Sequence, residues 1–133
     1  MVRSQAMNLS IGKFAEAGLV GVETIRFYQR KGLLETPTPR EGVRHYGTTD
    51  LQRLRFIRSA KAAGFTLEEI KELIALDSSH DHHRARELAH SRINALEIRI
   101  TELQRAHLAL KRLAQLCGEA KGGPCPILES FDV

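Results

Sequence analysis

Residues 10–34 read SIGKFAEAGLVGVETIRFYQRKGLL, and the fold turns on how this stretch is punctuated. Ser10 is a good N-cap. Ile11, Phe14 and Ala15 follow at helical spacing, and Gly18 is available to close the segment. After a break of a few residues, Val22, Ile25 and Phe27 mark a second short helix that closes at Gly32, with Leu33 and Leu34 beyond it. Two helices of this length across so short a break have the dimensions of a helix-turn-helix.

The flanking sequence extends that module. Residues 35–50, ETPTPREGVRHYGTTD, carry two prolines and two glycines, and a central REG between short extended flanks fits a hairpin wing. A helix is expected from Thr49, with Leu51, Leu54, Phe56, Ile57 and Ala60 inside, Arg53, Arg55 and Arg58 mostly outside, and Gly64 at its end. Residues 66–76, TLEEIKELIAL, open with Thr66 and Glu69 in the spacing of a capping box and put Leu67, Ile70, Leu73 and Ile74 on one face. The result is an all-helical module with one small wing.

Charge is concentrated on it. The whole chain carries a formal +4. Residues 26–61 hold nine Lys or Arg against three acids (Glu35, Glu41, Asp50), a local +6. Such a run is either a solvated helical face or a nucleic-acid surface.

The rest of the chain is of another kind. From Arg84 to Leu116 no glycine or proline interrupts it. Ile93, Leu96, Ile100, Leu103, His107, Leu110, Ala114 and Cys117 recur at alternating spacings of three and four, a heptad seam. So long an apolar stripe needs a partner, which makes this a coiled-coil dimer, or a helix folded back on its own module. His107 reads as a packed polar register residue. Past Cys117, the residues GEAKGGP are expected to end the helix in a short loop returning at Cys125, and Pro126 opens a final helical turn.

With 133 residues, 42% of them apolar, the chain has room for one ordinary domain or a small module plus an oligomerisation element. No long apolar run exists, and the opening MVRSQAMN lacks the apolar stretch of a signal peptide. A cytoplasmic protein with no membrane partner is therefore expected. Two cysteines do not make a disulfide scaffold, and in a reducing compartment they are either chemically active thiols or small buried hydrophobes. The stretch DSSHDHH at 77–83 concentrates three histidines and two aspartates in an expected loop, as ligands or as a solvated turn. A metallohydrolase would need a cleft with an open metal position and a general base, which a small helical module with a coiled coil does not offer, so no enzyme is expected.

The segments IGKFAEAG, VETIRFYQRKGLL, GVRHYG, LQRLRFIRSAKAAGFTLEEIKELIAL and CGEAKGGPCPIL together resemble the MerR family of bacterial transcription regulators, from Leu9 to Phe131, with the second helix most similar to the mercury-responsive branch. The resemblance implies a mainly α fold: a winged helix-turn-helix DNA-binding module, a long antiparallel coiled-coil dimerisation helix and a short metal-binding loop. On this chain that gives a flexible tail over 1–8, the DNA-binding module over 9–80, the dimerisation helix over 81–116, and the metal-binding loop with a short helix over 117–133. It implies a homodimer on promoter DNA whose recognition boxes are too far apart for RNA polymerase, with metal binding untwisting the DNA to realign them. Arg26, Tyr28, Arg40, Arg44 and Tyr46 match positions of DNA contact, and Glu23 and Thr24 at the start of the recognition helix are placed to face bases.

The sequence departs from the family pattern at two places. Leu19 stands where the family has glycine. His82 stands where the mercury, zinc, cadmium and lead sensors carry cysteine and the copper branch serine, while the seven residues between Cys117 and Cys125 match the copper spacing. Two thiolates select a soft cation, and an added imidazole from His82 or His83 suits Zn(II), whereas Hg(II) is satisfied by the thiolates alone. Hg(II) or Zn(II) is the expected ion at Cys117, Cys125, His82 and His83, with Cu(I) as the alternative; a redox regulator forming a Cys117–Cys125 disulfide is a further one. A helix over 84–116 separates His82 from Cys117 of its own chain by roughly 50 Å, so only an antiparallel partner can bring these ligands together.

Overall fold

A computed structural model describes residues 8–39, 42–119 and 122–130. Six helices are present among them: α1 (Ile11–Ala17), α2 (Val22–Arg30), α3 (Thr48–Ala62), α4 (Leu67–Ser79), α5 (His82–Glu119) and α6 (Pro126–Ser130). The chain divides into two units, residues 1–89 and 90–133.

The first unit forms where the sequence puts its punctuation. The Ser10 hydroxyl accepts from the Lys13 amide and starts α1. In α4 both arms of the capping box close: the Glu69 amide donates to Thr66 Oγ at 3.1 Å and the Thr66 amide to the Glu69 carboxylate at 2.8 Å. The buried Asp50 carboxylate reaches back to the Gly47 amide at 2.9 Å and fixes the start of α3. Phe14, Ile25, Tyr28, Leu33, Tyr46, Leu54, Ile57 and Ile70 come from four helices and the intervening loops to make one core.

The turn between α1 and α2 is tight for a reason visible at Gly18 and Leu19. A Cβ at Gly18 would lie 2.2 Å from Leu54 Cδ2, so glycine lets α1 approach α3. The left-handed residue is the next one: Leu19 has φ +59° and its side chain points to solvent, 76% exposed. Leucine thus occupies the conformation that the resemblance assigns to glycine, at a local cost of about 1 kcal/mol that the packed flanks hold in place. Gly18→Ala is expected to destabilise the first unit by about 1–3 kcal/mol, read as a fall in the denaturation midpoint; an unchanged midpoint would show that Leu54 moves aside freely.

Four expectations need correction. The wing contains no strand among the described residues: the extended chain at Tyr46 makes a single antiparallel bridge to Leu9, with both N–H···O distances 2.7 Å. Pro37 and Pro39, which have no amide proton, deprive the preceding arm of ladder donors, and Arg40 and Glu41 lie outside the described residues. Phe56, expected inside, is 41% exposed, and Phe27 is exposed as well; Tyr28 is the core residue on that turn of α2. The DSSHDHH stretch is mostly helical. Asp77, Ser78 and Ser79 finish α4, His80 is its left-handed cap at φ +57°, and α5 begins at His82. Finally, α5 runs through Cys117 and Gly118 to Glu119, because a glycine in a last helical turn weakens a helix by only about 1 kcal/mol without ending it. Cys117 therefore sits on the helix and not in the loop.

At the start of α5, the Arg84 guanidinium donates to both carboxylate oxygens of Glu72 on α4, at 2.5 and 3.1 Å, and to Glu87 at 3.0 Å. That fork holds the Glu72 carboxyl below the usual carboxylate range. Further along, Leu88 is the only buried residue of α5. Ile93, Leu96, Ile100, Leu103 and Leu110 are all exposed, between 37% and 51%.

Candidate nucleic-acid interface and metal centre

The two proposed functions lie in different units. In the first, Gly21 caps α2, and Glu23 and Arg26 stand exposed one turn apart with Arg26 Nη1 3.5 Å from the Glu23 carboxylate. Thr24 is half-buried and Arg44 exposed. Arg30 and Lys31 add exposed charge at the end of the helix, with Lys31 Nζ 5.6 Å from the centre of the half-open Phe27 ring. Both of these lie inside the basic run.

Both tyrosines proposed from the sequence as DNA contacts belong to the core. Tyr28 is 7% exposed and Tyr46 2%. The Tyr46 ring stacks on Phe14 at 4.4 Å between centres and its hydroxyl accepts from Gln29 Nε2 at 2.9 Å. Gln29 Nε2 also donates to the Glu35 carbonyl. Tyr46 thus ties the segment bearing Arg44 to α1 and α2, which positions the exposed basic groups.

The histidine-rich stretch divides by role. Asp81 caps α5, accepting from the Arg84 amide at 3.2 Å; His80 supplies the left-handed break; His83 Nε2 lies 2.9 Å from the Glu87 carboxylate. His82 stands exposed at the first residue of the helix, on the rim of a cavity of about 510 Å³ that Phe56, Leu73 and Ile74 also line. The punctuation of two helices therefore accounts for His80 and Asp81, leaving His82 and His83 as the candidate donors.

In the second unit the thiols of Cys117 and Cys125 meet at 3.0 Å, one from the last turn of α5 and the other from the residue before α6. Hydrogen bonding to the Cys125 sulfur, then burial, raises the Cys117 thiol above its ordinary value. The Cys117 hydrogen bond and the Leu128 amide, the larger causes, lower Cys125. Cys125 is thus the better thiolate of the two, and two sulfurs this close suit one soft cation. A tetrahedral Zn–S bond of about 2.3 Å puts two sulfurs about 3.8 Å apart, so the pair fits after opening by roughly 0.8 Å. Among the described residues of one chain, no group of three or more His, Cys, Asp or Glu is arranged to hold a metal.

A helix-turn-helix carrying exposed cations, joined to a long helix that ends in a thiol pair, defines a DNA-binding regulator with a candidate effector site. Residues 9–77 match the model of the MerR HTH family regulatory proteins, and residues 51–113 match the MerR DNA-binding model. The mercuric resistance operon regulatory protein of Serratia marcescens is 43% identical over 126 residues, covering 93% of this chain and 88% of that protein. Among solved structures, the transcription regulator PbrR691 of Ralstonia metallidurans CH34 in complex with lead(II) matches with a TM-score of 0.65 and 31% identity, over 93% of this chain and 99% of that one. HiNmlR, a MerR family regulator lacking the sensor domain and bound to promoter DNA, matches with a TM-score of 0.67 and 27% identity, over 80% and 86%.

The chain belongs to the MerR family. It is a transcription regulator and not an enzyme, as expected from the sequence. Among the described residues no helix is long and apolar enough to cross a membrane.

Proposed function

We propose that this protein is a metal-responsive regulator that binds promoter DNA as a homodimer and activates transcription when a thiophilic ion of the Hg(II) or Zn(II) type binds Cys117 and Cys125. The observation that carries the reading is the 3.0 Å approach of the chain's only two thiols at the end of an exposed heptad seam. Mercury and lead in the descriptions of the relatives favour a soft ion. The seven-residue spacing keeps Cu(I) as the alternative.

The seam residues from Ile93 to Leu110 pair with a second copy in antiparallel sense. That pairing places His82 and His83 of one subunit beside the thiols of its partner, since α5, with 38 residues, keeps them roughly 50 Å apart within one chain. His82 is the preferred third donor because His83 is engaged with Glu87. Closure of the two thiols and the imidazole on one ion joins the start of one α5 to the end of the other. The altered subunit geometry passes to both DNA-binding modules, distorting the promoter so that RNA polymerase engages both boxes.

On the DNA side, Arg26 and Arg44 make phosphate and groove contacts while Glu23 and Thr24 face the bases, and Arg40 completes the basic wing. Arg26→Ala is expected to weaken operator binding by about 1–3 kcal/mol and to make the salt dependence shallower. Fluorescence anisotropy across a salt series checks this; a wild-type affinity that ignores salt contradicts the interface. The homodimer carrying His82→Ala and His83→Ala tests the shared site. It should retain Hg(II) binding through the thiols while Zn(II) affinity falls by about tenfold or more, the loss expected for one ligand. Equal affinity and response for every ion would leave the histidines outside the site.

A further inference from the structure

We infer that Cys117 and Cys125 form a reversible oxidation site, a disulfide within one chain that peroxide makes and that closes the metal site. The inference rests on the metal reading for its consequence, though not for the chemistry. The thiols stand at 3.0 Å, about 1 Å longer than a disulfide bond of about 2.05 Å and roughly 0.8 Å shorter than the sulfur separation across a tetrahedral ion. The pair is thus poised between the two states, and either is reached by a small movement.

The surroundings permit that movement. Gly118, Gly122 and Gly123 have nothing within 4 Å of an added Cβ, so no packed side chain crowds these positions beside the cysteines. Both cysteines are half-buried, open enough for a small oxidant to reach. No other cysteine exists in the chain to intercept the reaction or to compete as a partner.

The step balances with hydrogen peroxide as oxidant. The thiolate of one cysteine attacks a peroxide oxygen, the O–O bond breaks, and the leaving hydroxide takes up a proton as water, giving a sulfenic acid. The second thiolate attacks that sulfur, the S–O bond breaks, and the departing oxygen leaves as a second water. Two thiols are oxidised and one peroxide is reduced. The disulfide sulfurs have no thiolate charge to offer a soft cation, so metal response is confined to the reduced protein.

The test uses full-length, reduced, metal-free protein treated with a small excess of hydrogen peroxide. Expected are an intact mass lower by two hydrogens per chain, a monomer band on a non-reducing gel and both thiols silent to a thiol reagent. Hg(II) affinity should fall by at least about a hundredfold with the loss of both soft donors, and dithiothreitol should restore all of these. Operator affinity stays within about twofold, because the oxidation is confined to the second unit. Mass gain by added oxygens without a disulfide, a disulfide between chains, or two thiols still reactive overturns the proposal; so does an oxidised protein that binds Hg(II) as before. Failure of the metal reading is distinguishable: the reduced protein then binds no Hg(II), the gating falls with it, and the disulfide mass still appears.

Discussion

Replacing Cys117 by serine should abolish the metal response and leave the operator occupied. Cys117 lies in the last turn of α5 and is half-buried, so serine fits with little loss of packing. It removes one of the two soft donors that meet at 3.0 Å. A hydroxyl is a poor ligand for a thiophilic ion, and affinity is expected to fall by about two orders of magnitude or more. Metal-dependent induction then drops to the basal level. Arg26, Arg44 and the core that carries them belong to the other unit, so operator affinity should stay within about twofold. Induction assays with Hg(II), together with gel-shift titrations, read both quantities. A folded Cys117→Ser protein that no longer binds its operator would show that sensing and DNA binding are not separable.

The largest effect on DNA binding is expected from the seam and not from the recognition helix. Ile100 and Leu103 are each 51% exposed in the single chain and lie at consecutive heptad positions. The double variant Ile100→Glu with Leu103→Glu places carboxylates where the paired helix must be dry, and a desolvated charge without a partner cannot be kept there. Sedimentation should give a monomer. A single recognition module loses the tethering that makes the second half-site contact intramolecular, which weakens operator binding by about two to four orders of magnitude. A dimer of unchanged mass and affinity would mean that another face mediates association.

Most of the fold was legible because its signals are local. Ser10, Thr66 with Glu69, and the breaks at Gly32 and Gly64 are chemical statements about four or five neighbouring residues, and each acts as its sequence says. The seam was legible for the same reason, as a period. What escaped was tertiary. Whether Phe27 or Tyr28 faces the core depends on the rotation of α2 against Phe14 and Leu54, which helical spacing alone leaves open by about one residue. Tyr46 looks like an exposed wing residue until the ring of Phe14, more than thirty positions earlier, covers it. The histidine stretch was misread as a loop because three histidines and two aspartates suggest ligation, whereas Asp81 and His80 serve as the caps of adjacent helices. At the far end, Gly118 weakened the helix signal without ending the helix, and this hid Cys117 on α5. The thiol pair itself was visible as spacing; its 3.0 Å approach required the turn through Gly122, where φ is +78°.

The most direct measurement is transcription in vitro from the cognate promoter with purified polymerase, across Hg(II), Zn(II), Cd(II), Pb(II), Cu(I) and Mg(II), for the wild type and for the variant with both Cys117→Ser and Cys125→Ser. Activation is expected with one or more of the soft ions and not with Mg(II), and the variant should be activated by no ion while it still occupies the operator. Activation that persists without the two thiols, or a wild type that responds to none of these ions, would contradict it.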